Sequence, residues 1–152
     1  MAETFPLQSV LDHRQRLEEQ RLMAVALEEL RHEQARTMLE LAVQRRDVIL
    51  VGIDSIKNAV AIDGAAIMTV QRQLERALTA IALAEANVQQ AATAVEVVRA
   101  TALTASQDRL IVERLRDNFH GAVRQHSDHI EAERLGELGL NRWHANTTQD
   151  NE

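Results

Sequence analysis

Histidine and carboxylate side chains lie close together near the C-terminal end of the chain. His126 and His129 are three residues apart, with Asp128 between them and Glu133 one helical turn beyond. Imidazole and carboxylate groups at such spacing are ligands that zinc accepts. No further ligand converges on them, so a solvated helix face explains this group better. A helical metalloprotein stays an alternative, which metal analysis of the purified protein tests.

The segment Glu29–His32 is a single Glu-x-x-His motif. A di-iron helical bundle needs two such motifs and further glutamates, and the chain has one. The sequence also contains no cysteine, Gly-rich phosphate loop or nucleophile elbow. We therefore predict that the protein is not an enzyme and has no catalytic, cofactor-binding or metal-binding residues.

Composition favours paired helices over a globular core. Among 152 residues there are two Phe, one Trp, no Tyr, five Gly and one Pro. Aromatic side chains supply much of the buried area of a globular core, so this chain suits a thin aliphatic seam. The net charge of −6 argues against nucleic-acid binding, because no basic block is present to neutralise phosphates. Its longest uncharged apolar run, residues 48–53, is much shorter than the roughly 20 residues of a membrane span.

Helix-forming residues dominate the chain and predict an all-α fold. The first helix spans about residues 7–51, with Thr4 as a possible cap and Pro6 in the first turn. Turn-prone residues between Gly52 and Gly64 predict a bend over about 52–64. The second helix follows over about 65–138, with a flexible tail at 143–152. The predicted fold is a two-helix antiparallel coiled-coil hairpin with a longer second helix, in one elongated domain covering residues 1–152.

Apolar residues recur every seven positions in the second helix, the pattern of a left-handed coiled coil. The a positions are Leu74, Ile81, Val88, Val95, Ala102, Val123 and Ile130. The d positions are Ala77, Ala84, Ala91, Val98, Ala105, Val112 and Phe119. The polar residues on this seam are Arg109, Arg116 and His126. In the first helix a weaker stripe comprises Val10, Leu17, Ala24, Leu27, Met38, Leu41 and Val48.

The heptad frame of the second helix extends backwards to Ile49, broken by Asp63. This permits a rival arrangement, one continuous helix paired with another chain as a homodimeric scaffold or adaptor. Sedimentation distinguishes the two, because the hairpin should be a monomer and the continuous rod a dimer. The clustered turn residues favour the hairpin, with the homodimer as the alternative.

A bend centred near Lys57 would place Leu7 opposite about Arg109 and leave the rest of the second helix unpaired. Uncovered apolar residues of this kind mark an interaction site. The alternative is self-association of two such ends. Trp143 would dock on its own chain or on a partner. The uncovered stripe would comprise Val112, Leu115, Phe119, Val123 and Ile130.

The opening Phe5-Pro-Leu-Gln-Ser-Val-Leu-Asp-His-Arg14, followed by Leu17-Glu-Glu, resembles the start of the FliJ family of flagellar export proteins. The segment Leu74-Glu-Arg-Ala77 agrees as well. The C-terminal Leu135-Gly-Glu-Leu-Gly-Leu-Asn-Arg142 is similar to the closing L-D-E-L-A-x-x-R of the family. Here Gly136 and Gly139 replace the expected Asp and Ala. The resemblance covers nearly the whole chain.

The resemblance implies an accessory stalk of the bacterial flagellar type III export apparatus. It would be cytoplasmic and peripheral at the inner membrane through that apparatus. Its implied partners are the hexameric export ATPase FliI, the export-gate protein FlhA and the export chaperones, with no nucleic acid and no transmembrane segment.

The resemblance also implies two sets of contact residues. The gate contact would fall at Val70, Leu74, Ala77 and Ile81, although these residues have a plainer role in packing against the first helix. Where the family has an aromatic residue and a histidine, this chain has Val70 and Ile81. Docking to the ATPase or another partner would use Leu7, Leu11, Val112, Leu115, Phe119, Val123, Ile130, Glu137, Leu138 and Arg142.

Overall fold

A computed structural model describes residues 4–61 and 63–149, with side chains as far as His144. Helix α1 spans Gln8–Lys57 and helix α2 spans Gly64–Gln149, and no strand occurs among these described residues. The all-α, two-helix hairpin with a longer second helix is therefore confirmed.

Contacts within the described chain define two compact units. We call the first, residues up to Arg16 together with residues from Ser106 onwards, the terminal unit. The second, Leu17–Ala105, contains the connection between the helices, and we call it the bend unit.

The connection between α1 and α2 is confined to residues 58–63. Asp63 caps α2, because its Oδ1 accepts a hydrogen bond from the Ala65 amide at 2.9 Å. Gly52 lies inside α1 instead of opening the bend, and Ile62 lies outside the described residues. The rival continuous helix is wrong, because the turn at residues 58–61 and the Asp63 cap separate the two helices.

The predicted end of the second helix near residue 138 is too early, because α2 continues to Gln149. Gly136 and Gly139 do not stop it, since both keep negative φ angles and helical geometry. Residues 143–149 of the predicted flexible tail are helical, and residues 150–152 lie outside the described residues.

The predicted seam of α2 is confirmed throughout the bend unit. Every a and d residue from Leu74 to Ala105 is buried or half-buried, and Ala84, Ala102 and Ala105 are among the most buried. Alanine at these layers lets two helices approach closely.

The predicted stripe of α1 is wrong for most of its members. Leu27, Met38, Leu41 and Val48 are exposed in the bend unit, Val48 by 72%. Only Leu17 and Ala24 are half-buried, and Val10 in the terminal unit is exposed. Helix α1 carries apolar residues on two faces, and periodicity alone does not say which of them meets α2. The other apolar residues of α1 that are buried or half-buried in the bend unit are Val25, Ala35, Leu39, Ala42, Val43, Ile49, Ile53 and Ile56.

Candidate interaction surfaces

Four apolar side chains form the core of the terminal unit. Phe5, Leu11 and Val112 are buried, and Phe119 packs against them. The rings of Phe5 and Phe119 are 5.7 Å apart at 54°, a tilted arrangement that aromatic pairs favour. We call these four residues the terminal cluster.

The terminal cluster corrects the prediction of an uncovered stripe beginning at Val112. Val112 is 8% exposed, because Leu11 and Phe5 cover it. The prediction centred the turn on Lys57, whereas residues 58–63 connect the two helices. The start of α1 therefore pairs further along α2, and Phe5 extends the coverage ahead of α1.

An ion pair beside the terminal cluster is consistent with the pairing of Leu11 with Val112. Arg14 Nη1 on α1 lies 3.1 Å from Asp108 Oδ2 on α2, with both side chains partly exposed. On α2, the seam residue Arg109 pairs with Glu113 at 2.7 Å. Such partly exposed pairs contribute at most about 1 kcal/mol each. The Arg14–Asp108 pair therefore orients the two helices more than it stabilises them, and the Arg109–Glu113 pair lies within α2.

The packed part of α2 ends at Val123, which is half-buried. All residues from Arg124 to His144 are exposed, and we call this segment the α2 extension. It carries five large apolar side chains, with Leu138 exposed by 64% and Trp143 by 61%. They are Ile130, Leu135, Leu138, Leu140 and Trp143.

These five side chains do not share one face. Successive residues of an α-helix are turned by about 100°. Leu135, Leu138, Leu140 and Trp143 therefore project in different directions around the axis. The α2 extension thus presents apolar groups on several sides, unlike the one-sided stripe predicted from the heptad.

The other predicted docking residues fall into two groups. Leu11 is fully buried at 0% exposure and is not accessible to a partner in this structure. Leu7 and Leu115 are exposed in the terminal unit, and Glu137 and Arg142 are exposed on the α2 extension. Leu135 and Trp143 lie outside the heptad frame, and Leu140 falls at a d position beyond the predicted helix end near residue 138.

The predicted gate-contact residues Val70, Leu74, Ala77 and Ile81 are half-buried on the α2 seam. Val70 and Leu74 also line an open apolar groove of about 280 Å³ beside the bend. Its other walls are Ile53, Ile56, Lys57, Ile67 and Gln71.

Two of the carboxylates singled out in the sequence form ion pairs, Glu133 within α2 and Glu29 with α2. His126 is exposed, and His129 Nε2 lies 3.2 Å from Glu133 Oε1. Glu29 of the Glu-x-x-His motif accepts a hydrogen bond from Arg99 Nη2 of α2 at 2.7 Å, which raises the pKa of the Arg99 guanidinium. Among the described residues, no three His, Asp or Glu side chains are grouped to hold a metal ion.

Two paired helices, one with apolar side chains left exposed around its end, define a protein of the coiled-coil hairpin class. The chain belongs to the FliJ family, because the family described as "Flagellar FliJ protein" matches residues 3–148. The resemblance carried by Phe5–Arg14 is thereby confirmed. This is a family of non-catalytic flagellar accessory proteins, so the chain is related to flagellar export.

No curated protein and no solved structure matches the chain. Within the described residues, neither α1 nor α2 contains a stretch long and apolar enough to cross a membrane.

Proposed function

We propose that the chain is an accessory protein of the flagellar export apparatus and binds the hexameric export ATPase FliI through the α2 extension. Family membership supports the setting, and the exposed apolar residues of the extension carry the assignment of the surface. The remaining partners in the proposal, the gate protein FlhA and the export chaperones, rest on the family. The same setting makes the protein cytoplasmic and peripheral at the cytoplasmic face of the inner membrane.

The distribution of apolar side chains on the α2 extension favours a ring-shaped binding site on the partner over a groove. A helix that docks in a groove needs one apolar stripe, whereas a helix with apolar groups all round is buried on all sides. The α2 extension has apolar groups on several sides, and its described side chains from Arg124 to His144 are all exposed. The central opening of a hexameric ATPase would surround it.

A glutamate at Leu138 tests this proposal. Leu138→Glu should weaken binding of the purified ATPase at least about tenfold, because a charge would be buried without a partner. Binding would be measured by biolayer interferometry, with circular dichroism confirming unchanged helicity. The matched control is Leu103→Glu, an exposed leucine of the bend unit that should bind as the wild type does. Equal binding by Leu138→Glu would contradict the proposal.

Phe119 is unsuitable for this test. Substituting it removes a ring that packs on Phe5, so binding and stability would change together.

We also propose that the groove at the bend receives an apolar side chain of FlhA. Its walls include Val70 and Leu74, two of the residues to which the family resemblance assigns the gate contact. Val70→Gln should weaken FlhA binding at least about fivefold, since the groove would lose apolar area and gain an amide. Leu78→Gln, at an exposed leucine outside the groove, is the control. Calorimetric titration showing the same affinity for both variants would contradict this assignment.

A further inference from the structure

The exposed face of α1 in the bend unit carries an apolar pattern of its own. Its members recur every seven residues at 27, 34, 41 and 48, and at 30, 37, 44 and 51. Six large apolar side chains, all exposed, lie on or at the start of this pattern, and we call them the outer stripe. They are Met23, Leu27, Leu30, Leu41, Val48 and Val51.

The outer stripe has charges of opposite sign on its two sides. Glu33, Glu40 and Asp47 recur every seven residues along one side. Arg31 and Arg45 occupy the other side, two heptads apart. Within the described part of the chain, neither Glu40 nor Arg45 has an ion-pair partner.

We propose that the outer stripe pairs with the outer stripe of a second copy of this chain, with the two α1 helices parallel. In a parallel pair, the residue flanking one side of the stripe meets the opposite flank of its neighbour about five residues further along. Glu40 then faces Arg45 of the second copy, and the two-fold symmetry repeats that pair. The stripe is thus complementary to itself.

The antiparallel arrangement is disfavoured by the same charges. It would bring the acidic flank of one copy against the acidic flank of the other, and arginine against arginine. Like charges across a helix pair oppose association. The charge pattern therefore selects the direction of the second helix.

Polar residues within the pattern indicate a dimer that depends on concentration. Gln34, Thr37 and Gln44 take positions that an obligate coiled coil fills with apolar residues. Polar side chains at such layers fix the register of a coiled coil and reduce its stability. We expect reversible association in the micromolar range and above.

Sedimentation of the full chain over a range of concentrations tests the proposal. The wild type should shift from monomer towards dimer as its concentration rises. Leu41→Glu should raise the dissociation constant at least about tenfold. Leu83→Glu, at an exposed leucine of α2 outside the stripe, should leave it unchanged. A wild type that stays monomeric at several hundred micromolar, or a Leu41→Glu variant that dimerises normally, overturns the proposal.

Charge exchange tests the pairing partner and the direction. Glu40→Arg alone and Arg45→Glu alone should each weaken the dimer, and the double variant should restore it. A double variant no better than either single one overturns the parallel arrangement. Circular dichroism would establish that all variants keep their helices.

Cross-linking gives an independent measure of direction, because the chain has no cysteine of its own. In the parallel dimer, residue 48 of one copy lies in the same layer as residue 48 of the other. Val48→Cys should then form a disulfide under mild oxidation, and Leu83→Cys should not. Absence of the disulfide at 48 in a protein that dimerises overturns the proposal. The outer stripe is separate from the α2 extension, so this proposal stands or falls independently of ATPase binding.

Discussion

Leu7 and Leu11 lie one helical turn apart but differ completely in burial. Both belong to the opening that resembles the FliJ family, and sequence reasoning gave both the same docking role. Leu11 is fully buried against Val112, whereas Leu7 is exposed. Leu11 therefore stabilises the terminal unit, and only Leu7 is accessible for recognition.

We predict that Leu11→Ala lowers the free energy of unfolding by about 2–4 kcal/mol. The substitution removes a fully buried side chain and leaves a cavity between the two helices. Urea denaturation followed by circular dichroism measures the loss. Leu7→Ala should change stability by no more than about 0.5 kcal/mol, as surface substitutions do. Similar losses for both variants would argue against the terminal cluster.

At the level of elements, the helices are longer and the connection is shorter than the residue types suggest. Gly52 belongs to the last turns of α1, and Gly121 lies inside α2. Both glycines adopt helical geometry, and a Cβ atom at either would meet nothing within 4 Å. Each glycine lowers the stability of its helix, because glycine loses more backbone conformational entropy on folding than other residues do.

Gly52→Ala should raise the free energy of unfolding by about 0.5–1 kcal/mol, because alanine has the higher helix propensity. The change would be measured by thermal or urea denaturation. Gly64→Ala is the matched control, since Gly64 is the first residue of α2 and should show a smaller effect. A destabilised Gly52→Ala variant would mean that the chain bends at this glycine after all.

For the whole molecule, the single tryptophan provides a direct report on partner binding. Trp143 lies on the α2 extension and is 61% exposed. Addition of the export ATPase should move its fluorescence emission to shorter wavelength, because enclosure in the ring removes the indole from water. A Trp143→Phe variant supplies the background from the ATPase itself. No spectral shift at saturating ATPase would place the binding surface elsewhere.

The family, the helical fold and the α2 seam could all be predicted from the sequence by itself. Each depends on local signals: the Phe5–Arg14 motif, helix-forming composition, and one dominant seven-residue repeat from Leu74 to Ala105. From Leu74 to Ala105 the apolar repeat of α2 is also its buried face, so the periodicity and the packing agree there.

Only the tertiary structure decided which face of α1 meets α2 and where the pairing ends. Helix α1 has two apolar stripes, and the pattern that looked like the seam, including Leu27, Leu41 and Val48, is the exposed one. Pairing also depends on where the chain turns, and a shift of a few residues at the bend carried Leu11 onto Val112. A sequence pattern shows which residues are apolar and how they are spaced. It does not show which side chain covers each of them, because the covering residue is far away in the chain.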